Sequence, residues 1–272
     1  MDARLTRLLD YYRAIGPVAV AFSGGVDSSL ALWAAASALG EAAVGVSVRS
    51  EFVCAAERGR AERLAKFLGQ QTGVRVLTCT FSALADEALR ANTPERCYLC
   101  KCRVLAAVRQ AATEHLGPGA ALAEGTNADD DPARPGRRAV AEFKAHSPLA
   151  ACNIDKAGVR ELARSIGLPN AEDPSNSCLA TRVPEGHELT YKRLTAIEAM
   201  ERVARELGLI DLRARLVPGQ NNGPDGRQDG GQDAVRLLVR PSQLLLAGSL
   251  LERLEERARF IGFGQFVLGE RT

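Results

Sequence analysis

Short apolar runs alternate with longer amphipathic stretches through the first two thirds of the chain. The runs at 18–22, 42–48, 74–79 and 120–124 have strand length and are rich in Val, Ala and Leu. Between them, 28–39, 55–70 and 100–114 carry apolar residues at helical spacing, as does the opening "MDARLTRLLDYYRAIG". Strands separated by helices predict an α/β fold with a parallel sheet and right-handed crossovers. A further helix is expected near 156–166. Past residue 188 the order changes to helix 190–207, strand 211–217, strand 234–240, helix 242–259 and strand 263–268. That reads as a second, smaller α+β unit, and it divides the chain into domains 1–186 and 187–272. The stretch "PGQNNGPDGRQDGGQD", 218–233, is poor in apolar residues and is expected to be a mobile loop joining two strands.

Composition narrows the function classes. The chain has 272 residues, 46% hydrophobic and 25% charged, with a net charge of +2. From residue 186 onward 13 basic residues face 12 acidic ones, so neither part is strongly charged and no nucleic-acid partner is expected. No apolar stretch reaches the ~18 residues of a membrane helix, and the opening helix lacks a signal-peptide core. Seven cysteines, an odd number, point to cytoplasmic thiols rather than a disulfide framework.

The chemistry begins at "FSGGVDSS", where the first strand gives way to a helix. Backbone N–H groups at a helix start, together with its positive dipole end, bind an anion such as phosphate. Gly24 and Gly25 are expected to supply φ > 0 and a close backbone approach. Ser23, Ser28 and Ser29 add hydroxyls, and Asp27 is a candidate helix cap or metal ligand. Neither GxxxxGK[ST] nor GxGxxG is present. The pattern S-G-G-x-D-S resembles the loop of the PP-loop ATP pyrophosphatases, which cleave ATP between its α and β phosphates. "EGTNADDD" falls at the end of the fourth strand, on the same predicted sheet edge, and Asp129, Asp130 and Asp131 are candidate magnesium ligands or a solvated acidic loop.

Cysteines supply the second signal. "RCYLCKC" holds Cys97, Cys100 and Cys102, and "SNSCLATRVP" holds Cys178. CxxC alone is compatible with a zinc knuckle, a redox dithiol or an iron–sulfur site. Cys54, Cys79 and Cys152 lie in or beside apolar runs and read as core residues. Cys102 reads as structural. Cys178 stands in a polar, Pro-flanked loop with Arg182 four residues on, a setting that favours a thiolate.

Taken together, "AFSGGVDSS", "NTPERCYLCK", "GTNADDDPARPGRRA", "HSPL", "VRELARSIGLPN", "SCLATRVPEG" and "LRARL" resemble the LarE family of ATP-dependent sulfur transferases, from about residue 5 to the last strand. The resemblance implies an ATP- and Mg2+-dependent enzyme that adenylates pyridinium-3,5-biscarboxylic acid mononucleotide and replaces carboxylate oxygen with sulfur. The product belongs to the synthesis of the nickel-pincer nucleotide of lactate racemase. It implies that Cys178 is the sulfur source or holds it. One form of the family sacrifices a single cysteine. The other holds a [4Fe–4S] cluster on three cysteines, and Cys97, Cys100 and Cys178 match that pattern. Thr181 and Arg182 are implied to bind phosphate, and Glu201, Arg213 and Arg215 to line the substrate site. Arg213 and Arg215 are two apart on a strand, so both face one side; the alternative is that each pairs with a surface carboxylate. A homo-oligomer is expected, with 187–272 serving substrate binding and assembly, and the sulfur donor is unknown. The rival readings are a PP-loop tRNA thiolase and a nucleotide-binding zinc or cluster sensor.

Overall fold

A computed structural model describes residues 2–174, 177–219 and 232–271. By its internal contacts the chain forms two compact units, one of residues 1–82 and 95–176, the other of 83–94 and 177–272. Most of the 218–233 loop expected from the sequence lies outside the described residues. No described helix is long and apolar enough to cross a membrane.

In chain order the first unit contains α1 (Ala3–Ile15), β1 (Val18–Ala21), α2 (Val26–Leu39), β2 (Ala43–Arg49), α3 (Ala55–Thr72) and β3 (Arg75–Thr80). After α4 (Glu87–Arg90), which belongs to the second unit, come α5 (Arg96–Leu116), β4 (Ala121–Ala123), α6 (Pro135–Glu142), α7 (Pro148–Ala151) and α8 (Lys156–Ser165). Its sheet is parallel, in the order β3-β2-β1-β4. Apolar residues on both faces of β1 and β2 explain why the runs show no polar alternation. Val18 and Val20 pack with α1, α2 and α8, whereas Ala19, Val44 and Val46 pack with Val108, Ala111 and Ala112 of α5. Gly45 of β2 leaves room for Leu32 of α2, whose Cδ2 would lie 2.6 Å from an added Cβ. The chain leaves β1 towards β2 and β3 on one side and returns to β4 on the other. The carboxyl ends of β1 and β4 therefore border the switch point at which parallel sheets bind ligands.

The second unit adds α9 (Tyr191–Glu206), β5 (Arg213–Val217), β6 (Ala234–Val239), α10 (Leu244–Ser249), α11 (Leu251–Ile261) and β7 (Phe266–Glu270). Its three-stranded sheet has the order β5-β6-β7, antiparallel then parallel. Ala214, Leu216, Val235, Leu237 and Val239 are buried on one face, with α9 and α11 packed against the sheet. The alternate residues Arg213, Arg215 and Arg236 stand on the open face. The helix expected over 242–259 is two helices, because Leu250 leaves helical geometry at ψ 5°. Residues 83–94 join this unit through Asn92, whose buried amide donates to the carbonyls of Pro184 (2.8 Å) and His187 (3.0 Å).

Candidate active site residues in two units

The Ser23–Ser29 loop sits between the end of β1 and the start of α2. Gly25 is the N-cap residue of α2, and no side chain caps the helix, so its first N–H donors keep no side-chain acceptor. Uncapped donors at the positive end of a helix dipole are suited to a phosphate. Gly24 has φ +78°, and a Cβ there would lie 2.8 Å from Ala61 Cα of α3. Gly25 differs from the expectation: its φ is −76°, and the nearest atom to an added Cβ is Ser23 Oγ at 3.5 Å. Only Gly24 needs the left-handed region; Gly25 leaves a bare backbone where the helix begins.

The loop hydroxyls hold its shape. Ser23 N–H donates to Ser28 Oγ (3.2 Å), Ser28 Oγ–H to Gly25 O (3.0 Å), and Gly25 N–H to Ser23 Oγ (3.3 Å). Ser28 and Ser29 are buried, and Ser29 Oγ accepts from Asn170 Nδ2, which also donates to Gly24 O. Asp27 does not cap the helix. Its carboxylate accepts from Asn127 Nδ2 (2.9 Å) and pairs with Lys156 Nζ (2.5 Å). Asp129 accepts from Lys156 N–H, Asp130 from Arg134, and Asp131 from Ala133 N–H.

Glu124, at the end of β4, is the hub beside this loop. It is 4% exposed and accepts from Lys101 Nζ (2.9 Å), Thr126 N–H (3.1 Å), Thr126 Oγ1 (2.8 Å) and Ser147 Oγ (2.7 Å). Burial raises its pKa, but the Lys101 charge and these hydrogen bonds outweigh burial and hold it below the usual carboxylate value. The next residue, Gly125, lies so close to α2 that an added Cβ would be 2.8 Å from Ser28 N. Lys101 stands on α5 directly after Cys100, so one buried carboxylate ties the cysteine helix to the segment after β4, whose Gly125 lies against the start of α2.

Cys97 and Cys100 lie one turn apart at the start of α5, Cys97 exposed and Cys100 half-buried. Arg96 Nη2 donates to Cys97 Sγ at 3.6 Å. Cys102 packs with Leu105, Ala139 and Val140, in keeping with a structural cysteine. Cys54 and Cys152 are buried, and burial pushes the Cys79 and Cys152 thiols up.

Cys178 belongs to the second unit and begins a single 3-10 turn, Leu179–Arg182. Its carbonyl accepts from Thr181 N–H (3.0 Å), Thr181 Oγ1 (2.7 Å) and Arg182 Nη1 (3.1 Å). Arg182 is 2% exposed; its Nη1 also donates to Ser177 Oγ (2.7 Å), and its Nε pairs with Glu201 Oε1 at 3.0 Å. Glu201, 1% exposed, in turn accepts from Ala214 N–H of β5 (3.2 Å) and Arg205 Nη2 (2.8 Å). The guanidinium thus straps the cysteine turn to α9, and the carboxylate ties α9 to the strand carrying Arg213 and Arg215. Burial, then the charges of Arg271, Arg182 and Arg215, lower the pKa of Arg213. Among the described residues neither Arg213 nor Arg215 has an acidic partner in an ion pair.

Thr181, Arg182, Glu201, Arg213 and Arg215 therefore all share one unit with Cys178, while Cys97, Cys100 and the phosphate loop share the other. Among the described residues no three His, Cys, Asp or Glu side chains are gathered in a metal-holding arrangement. Lys101, Glu124, Asn127, Lys156 and Asn170 are further polar residues here to which no sequence motif assigns a role. The "EGTNADDD" motif points near two of them, but no spacing rule pairs Lys156 or Asn170 with a loop more than a hundred residues earlier.

The chain matches no model of a known protein family. It is 31% identical over 216 residues to an uncharacterised protein of Synechocystis sp. PCC 6803, covering 79% of this chain and 78% of that protein. To an uncharacterised protein of Methanocaldococcus jannaschii it is 34% identical over 127 residues, 46% of this chain and 48% of that one. It is 33% identical over 200 residues to the pyridinium-3,5-bisthiocarboxylic acid mononucleotide synthase of Lactiplantibacillus plantarum, covering 73% of this chain and 71% of the synthase. With that identity spread over most of both sequences, the chain belongs to the LarE family, the family of that synthase.

Proposed function

We propose that this chain is an ATP-dependent sulfur transferase that converts pyridinium-3,5-biscarboxylic acid mononucleotide to its thiocarboxylate. The observation that carries the reading is the uncapped start of α2 at the sheet's switch point, in a chain one third identical to the named synthase. A carboxylate oxygen of the substrate attacks the α-phosphorus of ATP, the α–β anhydride bond breaks, and pyrophosphate leaves. A sulfur nucleophile then adds to the activated acyl carbon, and AMP departs with the former carboxylate oxygen. Adenylation replaces a poor leaving group with a good one. The Ser23–Ser29 loop, with Gly24 and Gly25, would receive the departing phosphates on the N–H donors of α2. Repetition at the second carboxylate gives the bis-thiocarboxylate.

Magnesium would enter with ATP. Asp27 is the loop's carboxylate, and Lys156 already balances its charge, so the described residues give the ion one shared anionic contact here. Cys97, Cys100 and Cys178 are proposed to hold a [4Fe–4S] cluster. The donor chemistry of the first two fits, as two thiols on one turn beside a guanidinium. A cluster bound by three thiolates supplies an iron open to an extra sulfide. In the alternative, Cys178 gives up its own sulfur. Thr181, Arg182 and Glu201 set the position of the Cys178 turn, and Arg213 and Arg215 would bind the anionic substrate. A cytoplasmic homo-oligomer, supplied by a sulfur donor still to be identified, completes the proposal.

The reading is tested by mixing purified protein with ATP and the dicarboxylate nucleotide and measuring nucleotide products. Substrate-dependent AMP and pyrophosphate are expected. Stoichiometric ADP would overturn adenylation, and AMP formation dependent on tRNA instead would select the tRNA thiolase.

A further inference from the structure

The open face of the second unit's sheet carries a third arginine. Arg236 of β6 stands directly opposite Arg215 of β5 in the antiparallel register, and both are exposed. Directly opposed residues place their Cβ atoms about 5 Å apart, and like charges there are destabilising. Arg213 lies two residues along β5 on the same face, about 7 Å away. Among the described residues none of the three has a carboxylate in an ion pair. Asp211, whose charge Arg213 feels, is taken by Arg240 and Arg271. Glu201 is taken by Arg182 and Arg205 on the buried side. Three guanidiniums on one face repel one another unless an anion lies across them, and each offers a planar fork of donors suited to phosphate or carboxylate oxygens.

We propose that Arg236, with Arg213 and Arg215, forms a three-guanidinium cradle on this sheet face that takes the phosphate monoester of the pyridinium nucleotide. The inference rests on the substrate reading above and adds to it the residue that recognises the phosphate. A dianion with three terminal oxygens can be shared by forks arriving from two strands. The Arg215–Arg236 pair grips it from opposite sides, and Arg213 extends the positive face along β5. A planar carboxylate with two oxygens would be satisfied by one fork, so the third guanidinium selects for phosphate.

Nicotinic acid mononucleotide and nicotinic acid riboside, which differ only in the phosphate, are the probes, titrated calorimetrically against wild type, Arg236→Ala and Arg236→Lys. Arg236→Ala should weaken the mononucleotide at least about tenfold, the loss of one charge-assisted hydrogen bond. Riboside and ATP binding should stay unchanged, and Arg236→Lys should recover part of the loss. Thermal melting should not fall in Arg236→Ala, because removing one of two opposed like charges relieves repulsion; a fall would show that the arginine has a structural partner and overturn the cradle. Equal weakening of mononucleotide and riboside, or none, would also overturn it. If wild type binds neither pyridinium probe, yet inorganic phosphate raises its melting temperature above chloride at equal ionic strength, and this depends on Arg236, the cradle stands and the substrate reading fails. If phosphate has no such effect either, the cradle fails too.

Discussion

Replacing Gly24 with alanine should unfold the phosphate loop's support, whereas the same change at Gly25 should leave the fold almost untouched. At Gly24 two costs add. An alanine held at φ +78° carries the left-handed penalty of about 1–2 kcal/mol. Its Cβ would stand 2.8 Å from Ala61 Cα and 2.9 Å from Ala61 Cβ, and the nearer atom is helix backbone that cannot swing aside. Overpacking of that kind costs about 1–3 kcal/mol, so the total is about 2–5 kcal/mol. At Gly25, φ is −76° and the added Cβ meets nothing nearer than Ser23 Oγ at 3.5 Å. The expected change is within about 1 kcal/mol, with a small gain because alanine restricts the unfolded chain. The chain has one tryptophan, Trp33, on α2 itself, so its emission follows unfolding of the first unit in urea. Gly24→Ala should shift that midpoint markedly; Gly25→Ala should keep the midpoint but impair pyrophosphate release, since its Cβ would intrude on the bare backbone at the helix start. Equal midpoints for the two variants would refute the assignment of the strained position.

Arg182→Leu should destabilise the second unit by about 3–5 kcal/mol, because it leaves Glu201 as a buried carboxylate short of its principal partner; an unaltered calorimetric melt would refute that role. Glu124 has a folded pKa below its unfolded value near 4.5, so its contribution is present above that value and lost as pH falls through the folded one. Glu124→Gln should therefore flatten the acid limb of stability against pH, and an acid limb identical to wild type would refute the hub. Arg213→Ala and Arg215→Ala should each weaken nucleotide-substrate binding by about 1.5–3 kcal/mol with ATP affinity unchanged; equal losses for both ligands would put these arginines in the wrong site.

Much of the first unit was legible because β1 and β4 are apolar throughout, β2 nearly so, and the helices between the strands are long. The short pieces were not. α4 and α7 are four residues each, and α6 begins in "ARPGRR", which reads as polar loop until Pro135 is seen to occupy the helix start. The phosphate loop was legible as a motif, yet which glycine takes φ > 0 depends on Ala61, contributed by a helix more than thirty residues later. Ser29 looked like a ligand donor and is buried, because Asn170 approaches from the end of the chain segment after α8. Arg182 sits in a polar, Pro-flanked loop and was expected to bind phosphate, yet it is buried. Its burial depends on Glu201, and nothing in the spacing of the two residues reveals that pair. The open face of the second sheet was half legible: Arg213 and Arg215 share a side by strand geometry alone, but Arg236 joins them only through the observed register.

Sulfur transfer itself is tested most directly with isotopically heavy sulfide. Protein reconstituted anaerobically with iron and sulfide is given ATP, the dicarboxylate nucleotide and heavy sulfide, and the product is followed by mass spectrometry. The account predicts brown protein, heavy sulfur in the thiocarboxylate over more than one turnover, and loss of iron in Cys97→Ala, Cys100→Ala and Cys178→Ala but not in Cys102→Ala. Colourless protein that transfers one unlabelled sulfur and converts Cys178 to dehydroalanine would contradict the three-cysteine mechanism, and a product without sulfur would contradict the proposed function.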